Sequence, residues 1–274
     1  MPLQRIAGPD DPRVAPYRSV SEPELLRAHG LFVAEGRLVV QRVIESGRFH
    51  VRSVLVNDAA WRALEPACRG MASDVDVYLG SPRDFEDLTG YDVHRGCLAL
   101  VERPEPILLD AILPSARFVV VLEQVTNADN VGGVFRNAGA FGADAVLLSP
   151  GTCDPLYRKA IRTSMAATLR VPFARLDHES GSWADALADL RQRGFSLVAM
   201  TPREPADDLE QFASQTKHSR LAVLFGTEGA GVSSEAESAA DYRVRIPIVD
   251  GIDSLNLAVA SGIVLYRLLA ARAG

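Results

Sequence analysis

Hydrophobic and polar positions in the second half of the chain follow two alternating patterns. Short continuous apolar runs of strand length are separated by segments with the three-to-four-residue apolar spacing of helices. The runs cover residues 118–122, 145–149, 197–200, 221–225 and 244–248, and the helical segments lie near 132–141, 155–167, 182–193, 206–213 and 234–240. Continuous apolar strands alternating with helices predict an α/β domain with a parallel sheet covered on both faces.

The first half shows a shorter version of the same alternation. The pattern predicts a helix that opens with a capping box at 21–24, and it then predicts further helices and strands. The helices are expected at 36–46, 58–68 and 82–89, and the strands at 52–56, 75–79 and 96–101. Residues 1–20 are rich in proline and arginine without periodicity, so we expect a tail there.

Prolines mark the boundary between the two patterned regions. Pro104, Pro106 and Pro114 punctuate the connection, which makes it the best linker candidate. The sequence therefore predicts a tail at 1–20, a smaller α/β domain at 21–102, a linker at 103–115 and a larger domain at 116–274.

Composition limits the class of protein. The 274 residues are 47% hydrophobic and 23% charged, as is usual for soluble globular proteins of one large or two ordinary domains. The amino terminus lacks the apolar core of a signal peptide, and the apolar stretch 255–271 is too short and too interrupted for a membrane span. We expect neither secretion nor a membrane partner.

The cysteines and histidines indicate no metal site. Cys68, Cys97 and Cys153 lie far apart without a paired motif, which argues against both zinc and a disulfide framework. The five histidines are equally scattered. Free cysteines fit a reducing compartment, so we expect a cytoplasmic protein without a metal.

The net charge of −6 counts against a broad nucleic-acid-binding surface, because affinity for phosphates comes largely from lysine and arginine. One stretch departs from this balance. Its clustered basic residues are Arg158, Lys159, Arg162, Arg170 and Arg175.

Three glycine-rich or polar segments lie where predicted strands end and helices begin. They are residues 127–142, 225–233 and 246–256. In parallel α/β sheets ligands bind at the carboxyl ends of strands, where turns and helix amino termini expose backbone N–H groups. The sequence therefore predicts one ligand site built from all three segments.

Two familiar nucleotide sites do not match these glycines. Gly132, Gly133 and Gly139 lack the spacing of a dinucleotide-binding fingerprint. The segment 226–233 resembles a phosphate-binding loop, but Val232 replaces the lysine that would contact phosphates, and Glu228 adds a negative charge. An acidic residue in such a turn suits a cationic or hydroxyl-bearing ligand. Plain helix capping by Asn130, Ser254 or Asn256 and a solvated role for Glu228 remain open from the residues alone.

The order and spacing of the three segments resemble the SPOUT superfamily of S-adenosylmethionine-dependent RNA methyltransferases, in its TrmH-like (SpoU) branch. The resemblance covers roughly residues 115–272. Shorter matches at 32–36 and 96–99 resemble the family's ribosomal-protein-like RNA-binding domain. This resemblance implies a carboxy-terminal trefoil knot and methylation of a ribose 2′-hydroxyl in rRNA or tRNA, with S-adenosyl-L-methionine as cofactor.

The resemblance also implies roles for individual residues. Those expected to line the catalytic cleft are Asn130, Arg136, Glu228, Ser254 and Asn256. The backbone expected to bind the cofactor belongs to Gly226, Gly229, Ile246, Ile248 and Leu255. Arg136 would act on the acceptor hydroxyl, either as a base or by positioning it.

Two other functions remain open from the sequence. A non-catalytic RNA-binding or ribosome-assembly protein would keep the same fold, and a small-molecule methyltransferase would suit the negative charge.

The segment 254–271 is apolar on nearly every helical face, which predicts a homodimer, the usual state of the family. Its apolar residues are Leu255, Leu257, Val259, Ile263, Val264, Leu265, Leu268 and Leu269.

Overall fold

The computed structural model describes residues 3–18, 22–71, 75–90, 93, 96–176, 181–215, 220–249, 251 and 254–270. Its strands are β1 Leu3–Arg5, β2 Leu31–Glu35, β3 Val51–Val56, β4 Asp76–Leu79, β5 Cys97–Glu102, β6 Phe118–Leu122, β7 Ala145–Leu148, β8 Phe173–Arg175, β9 Ser196–Met200, β10 Asp207–Asp208, β11 Leu221–Phe225 and β12 Tyr242–Arg245. Its α-helices are α1 Glu22–His29, α2 Arg37–Ser46, α3 Asp58–Cys68, α4 Pro82–Thr89, α5 Leu109–Ile112, α6 Ala128–Phe141, α7 Arg158–Thr163, α8 Trp183–Gln192, α9 Leu209–Gln215, α10 Ser234–Ala239 and α11 Leu257–Ala270. Short 3₁₀ helices cover Pro12–Tyr17 and Ala167–Leu169.

The chain divides into two compact units. The first unit comprises residues 1–105 and 156–169, and the second comprises 106–155 and 170–274. The segment that contains α7 thus packs as part of the first unit, although it lies between strands of the second along the chain.

The first unit is built on a mixed sheet of five strands. Their order is β1-β4-β3-β5-β2, in which β1, β4 and β3 run parallel while β5 pairs antiparallel with both β3 and β2. Helix α3 begins where the Asn57 side chain accepts the Ala60 N–H, and α4 begins at a capping box formed by Ser81 and Asp84. The expected cap at Ser21 lies outside the described residues.

Residues 3–17 differ from the expected tail. Strand β1 pairs with β4, and the following 3₁₀ helix buries Val14 and Tyr17. The Tyr17 hydroxyl lies 2.8 Å from Ser53 Oγ and accepts the Leu100 N–H. These contacts join distant parts of the sequence, so no local periodicity could announce them.

A buried carboxylate holds the α7 segment in the first unit. The Glu35 side chain is fully buried, with Arg158 Nε 3.5 Å and Arg162 Nη1 3.1 Å from its two oxygens. The Arg42 guanidinium also donates to the Met165 carbonyl. Two arginines of the basic stretch therefore neutralise a carboxylate of their own chain, because a buried charge requires such partners.

The second unit contains the parallel sheet that the sequence predicts. Its strand order is β10-β12-β9-β11-β6-β7-β8, and every adjacent pair is parallel. Strands β6 and β11 are buried along their whole length at the centre. The last predicted strand, 244–248, lies two to three residues earlier, at β12. The short strands β8 and β10 have no apolar run to predict them.

The expected linker is partly folded. Residues 109–112 form α5, and Ile112, Leu113 and Ala116 are buried in the core of the second unit. Prolines at 104, 106 and 114 mark the ends of short elements here as well as a connection between units.

Close packing of α6 on α11 fixes the two helices that carry polar residues of the predicted site. A Cβ at Gly133 would lie 2.4 Å from Ala258 Cβ, so only glycine fits there. The Asn137 amide donates to the Ala258 carbonyl at 2.6 Å and to Ser261 Oγ at 2.9 Å. The trefoil knot stays a prediction; residues 250, 252 and 253 of the third polar segment, and residue 271 of the last predicted helix, lie outside the described residues.

Candidate active site

The second unit has a cavity of about 420 Å³ at the carboxyl ends of β9, β11 and β12, closed on one side by the start of α11. This is the edge of a parallel sheet where ligands normally bind. Apolar walls come from residues such as Phe225, Val244 and Leu257, and polar groups converge from the loops.

Every residue predicted to bind the cofactor lines this cavity. They are Gly226, Gly229, Ile246, Ile248 and Leu255. The glycine loop, residues 226–233, is tightly folded because the Gly231 N–H donates to the Thr227 carbonyl at 2.8 Å. A Cβ at Gly226 would lie 2.0 Å from the Gly231 carbonyl carbon and oxygen, so the closed loop requires glycine at its first position.

Three of the predicted catalytic residues form one hydrogen-bonded group. The Asn130 amide donates to the Glu228 carboxylate, and its oxygen accepts the Asn256 amide at 3.0 Å. Asn256 Nδ2 also lies 3.5 Å from Glu228 Oε1. The network thus joins all three polar segments of the sequence, although they are up to 126 residues apart along the chain.

Asn127 and Asn256 cap helices with their side chains, whereas Asn130 does not. Asn127, not Asn130, is the N-cap of α6, and its side chain accepts the Asp129 N–H at 2.9 Å. Asn130 lies in the first turn of α6 and is 3% exposed, and its side chain binds Glu228 in the network. Asn256 does both, because its Oδ1 accepts the Ala258 N–H at 2.9 Å while its Nδ2 reaches Asn130.

The other two predicted catalytic residues lie apart from this network. Ser254 is exposed and lines the cavity. Arg136 is exposed on α6, it does not line the cavity, and no hydrogen bond or ion pair ties its guanidinium within the described part of the chain. One chain therefore brings Asn130, Glu228, Ser254 and Asn256 to the cavity or its edge and leaves Arg136 available to a further molecule.

Sequence reasoning missed the contribution of the turn after β9. Thr201 and Arg203 line the cavity, and the Arg203 guanidinium donates to the Ala230 carbonyl at 2.6 Å and lies 3.2 Å from Glu237 Oε1. Arg245 lies at the same rim, where its hydrogen bond to Asp208 raises the pKa of its guanidinium. One signal could have identified these residues: β9 is parallel to β11, so both strands end at the sheet edge where ligands bind.

Among the described side chains, no group of three or more His, Cys, Asp and Glu is close enough together to bind a metal ion. None of the helices in the described ranges combines the length and apolar character that crossing a bilayer requires.

Similarity to known proteins is extensive. Residues 117–266 match the model of the SpoU rRNA Methylase family. An uncharacterized tRNA/rRNA methyltransferase of Mycobacterium bovis is 37% identical over 270 residues, which span 97% of this chain and 91% of that protein. The 23S rRNA (guanosine(2553)-2′-O)-methyltransferase RlmP of Bacillus subtilis is 25% identical over 268 residues, 97% of this chain and 99% of that protein.

The fold has solved counterparts. The crystal structure of an AdoMet-bound rRNA methyltransferase from Sinorhizobium meliloti superposes with a TM-score of 0.80 at 23% identity, covering 97% of each chain. Because the identity is below 25%, this superposition establishes the fold alone, and it does so over nearly the whole length of the chain.

Proposed function

The chain belongs to the SpoU rRNA methylase family, and on that premise we propose that it transfers the methyl group of S-adenosylmethionine to a ribose 2′-hydroxyl of rRNA or tRNA. The 2′-O-ribose reaction is the one named for the relative from Bacillus subtilis. A cofactor-bound crystal structure of the same fold supports the choice of cofactor.

The observation that carries the proposal is the placement of Glu228. Its carboxylate lies in a glycine turn at the wall of the cavity, held by Asn130 and Asn256. A fixed negative charge there suits a ligand with a sulfonium, an amine and hydroxyl groups, and it disfavours a phosphate. The cavity volume of about 420 Å³ lies within the range usual for small-molecule sites.

The residues of this chain would bind and align the reactants. When bound, S-adenosylmethionine supplies a methyl group on a sulfonium, which is a good leaving group. The backbone of Gly226, Ile246 and Leu255 would hold the cofactor, while Glu228, Asn130 and Asn256 fix the loops around it. Ser254, exposed at the rim, would contact the incoming ribose.

Arg136 would position the acceptor. A guanidinium has a planar fork of donors that fits a ribose hydroxyl and its neighbouring phosphate. An arginine base is costly, because lowering the very high pKa of a guanidinium to neutrality requires about 7 kcal/mol. Its exposure on α6, outside the cavity, suits contact with RNA rather than with the cofactor.

Calorimetry of the full-length protein with S-adenosylhomocysteine tests the cofactor assignment. We expect one class of site per chain. A folded protein that releases or absorbs no heat at millimolar ligand would remove S-adenosylmethionine from the proposal. Mapping of 2′-O-methyl groups in RNA from cells with and without the gene then identifies the substrate, and it separates an enzyme from a non-catalytic RNA-binding protein.

We also propose that a second copy of the chain covers part of α11. Val259, Ile263 and Tyr266 are 54%, 40% and 61% exposed, and their spacing of four and three residues places them on one face. A contiguous apolar face of this kind is usual at interfaces between subunits. The cytoplasmic location expected from the cysteines stays a proposal that agrees with an RNA substrate.

A further inference from the structure

Glu123 is a buried carboxylate beside the cavity to which the proposed reaction assigns no role. It follows β6 directly and is 3% exposed. Its Oε2 accepts the Ser233 N–H at 2.9 Å, and its Oε1 accepts the Ser233 hydroxyl at 2.6 Å. Both carboxylate oxygens therefore bind Ser233, the last residue of the glycine loop.

The backbone of Glu123 holds the other end of the same loop. Its N–H donates to the Phe225 carbonyl at 2.9 Å, which extends the pairing of β6 with β11 one residue past the end of β6. Gly226, the first loop residue, follows Phe225. One residue therefore ties the beginning and the end of the glycine loop to the carboxyl end of β6.

Two further contacts fix the body of the loop. Arg203 binds the Ala230 carbonyl from the rim of the cavity. Glu228, in the middle of the loop, meets Asn130, which lies seven residues after Glu123 on the segment that follows β6. The position of Glu228 relative to Asn130 thus depends on how the loop is anchored at both ends.

Burial of a carboxylate is costly unless its hydrogen bonds are satisfied, and an apolar residue at the same place would avoid that cost. Charge-assisted bonds are shorter and stronger than neutral ones, so they define a geometry more closely. A carboxylate directed at two donors of Ser233 is accordingly suited to fixing the loop in one conformation.

We propose that Glu123 is a positioning residue for the cofactor site: it holds the glycine loop in the conformation that lines the cavity and presents Glu228 to Asn130. The inference rests on the proposed function, because the cofactor is the ligand whose binding depends on this loop. Glu123 itself does not line the cavity, so it would act through the loop and not on a reactant.

The test compares full-length variants in calorimetric titrations with S-adenosylhomocysteine. Glu123→Gln keeps the shape of the side chain but turns an amide NH₂ toward a donor. We expect its Kd to rise about tenfold, equivalent to about 1.4 kcal/mol, as for one bond to a charged group. Ser233→Ala should show a similar rise, and Ser233→Thr, which keeps the hydroxyl, should restore the wild-type Kd.

Ser81→Ala is the matched control. Ser233 is the N-cap of α10, where its hydroxyl accepts the Ala236 N–H at 3.1 Å. Ser81→Ala removes the same kind of N-cap hydroxyl from α4 in the first unit, so it should lose similar stability and keep the wild-type Kd. Methyl-transfer kinetics provide the second contrast. We expect the KM for S-adenosylmethionine to rise in Glu123→Gln while the KM for RNA stays unchanged.

Amide hydrogen exchange of the ligand-free protein supplies a readout that needs no cofactor. Exchange in residues 226–233 should be faster in Glu123→Gln than in wild type and unchanged in Ser81→Ala. Wild-type affinity together with wild-type exchange in Glu123→Gln would overturn the positioning role alone, and so would faster exchange with unchanged Kd. A wild-type protein that binds no S-adenosylhomocysteine would instead overturn the cofactor assignment and this inference with it.

Discussion

At the scale of single residues, neighbouring asparagines have different tasks that the sequence could not separate. Asn127 and Asn130 both lie near the start of α6, and either fits an N-cap by residue type. The structure gives the cap to Asn127 and frees Asn130 to bind Glu228, 98 residues away. The family resemblance identified Asn130 from its position in a motif, whereas capping rules alone would have left the choice open.

Arg136 gives the sharpest prediction at this scale. Arg136→Ala should abolish methyl transfer while the Kd for S-adenosylhomocysteine stays within a few fold, because the guanidinium lies outside the cavity. Arg136→Lys should fail as well, since a point charge cannot replace a planar fork of donors. Single-turnover methyl transfer and calorimetry on the same preparations measure both.

Arg191→Ala serves as the control for Arg136, because Arg191 is also an exposed arginine on a helix of the second unit. Its pair with Asp241 is exposed enough to contribute little. Near-full activity of Arg136→Lys would show that the guanidinium geometry is not required.

Asp11 permits a test of whether residues 3–17 are folded. Hydrogen bonds from the Arg13 side chain and the Ala7 N–H hold the pKa of the Asp11 carboxyl below its usual range. A lowered folded-state pKa stabilises the protein above the unfolded pKa of about 3.9, and this stability is lost as pH falls through the folded value. Asp11→Asn should therefore be less stable than wild type at pH 7, and the difference should shrink below about pH 4.

Urea unfolding followed by circular dichroism at neutral and acidic pH measures that difference. Asp10→Asn is the control, since the Asp10 carboxyl is fully exposed and pairs only with Arg18 among its described contacts. Equal midpoints for Asp11→Asn and wild type at pH 7 would contradict a folded amino-terminal segment.

At the scale of elements, the contact between α6 and α11 positions the site. Gly133→Ala would place a Cβ 2.4 Å from Ala258 Cβ, so the helices must separate. Overpacking of this kind costs about 1–3 kcal/mol. We expect a lower Tm and reduced methyl transfer, because α6 carries Asn130 and Arg136 while Asn256 caps α11.

A second substitution shows whether the steric contact is the cause. Ala258→Gly removes the opposing Cβ, so the double variant Gly133→Ala/Ala258→Gly should recover much of the lost activity relative to Gly133→Ala. Gly70→Ala is the control, because its Cβ would meet nothing closer than a carbonyl oxygen at 3.7 Å. A Gly133→Ala protein as stable and active as wild type would contradict this packing.

In the second unit, strands with a continuous apolar run were predicted from the sequence, and the short strands without one were not. Strands β6 and β11 match the sequence prediction residue for residue because each is buried on both faces. Strand β10 consists of Asp207 and Asp208, which have no apolar run, and Asp208 accepts a hydrogen bond from Arg245 of β12. The turn after β9, with Thr201 and Arg203, escaped prediction for the same reason.

At the scale of the whole molecule, sequence order and spatial grouping differ for residues 156–169. The sequence places Arg158 and Arg162 in the larger predicted domain, but both bind Glu35 within the first unit. A buried partner more than 120 positions away leaves no trace in a local charge count. The domain boundaries at 102 and 116 remain a prediction based on proline punctuation.

The final prediction concerns α11 and the second copy. Val264 and Leu265 are fully buried within their own chain, so this face of α11 is not available to a partner. Leu265→Glu would therefore unfold the monomer. The exposed face of Val259, Ile263 and Tyr266 is the relevant surface. Light scattering at micromolar concentration should give about twice the chain mass of 29.6 kDa for the wild type.

Ile263→Glu should yield a folded monomer, because a charge on this face disfavours burial against a partner without disturbing the core. Leu38→Glu is the control: Leu38 is 48% exposed on α2 of the first unit, so its replacement should leave the mass unchanged. A loss of methyl transfer in the Ile263→Glu monomer with retained S-adenosylhomocysteine binding would show that a second copy is needed for the acceptor. A wild-type protein that stays monomeric with full activity would show instead that one chain suffices and that the apolar face of α11 has another partner.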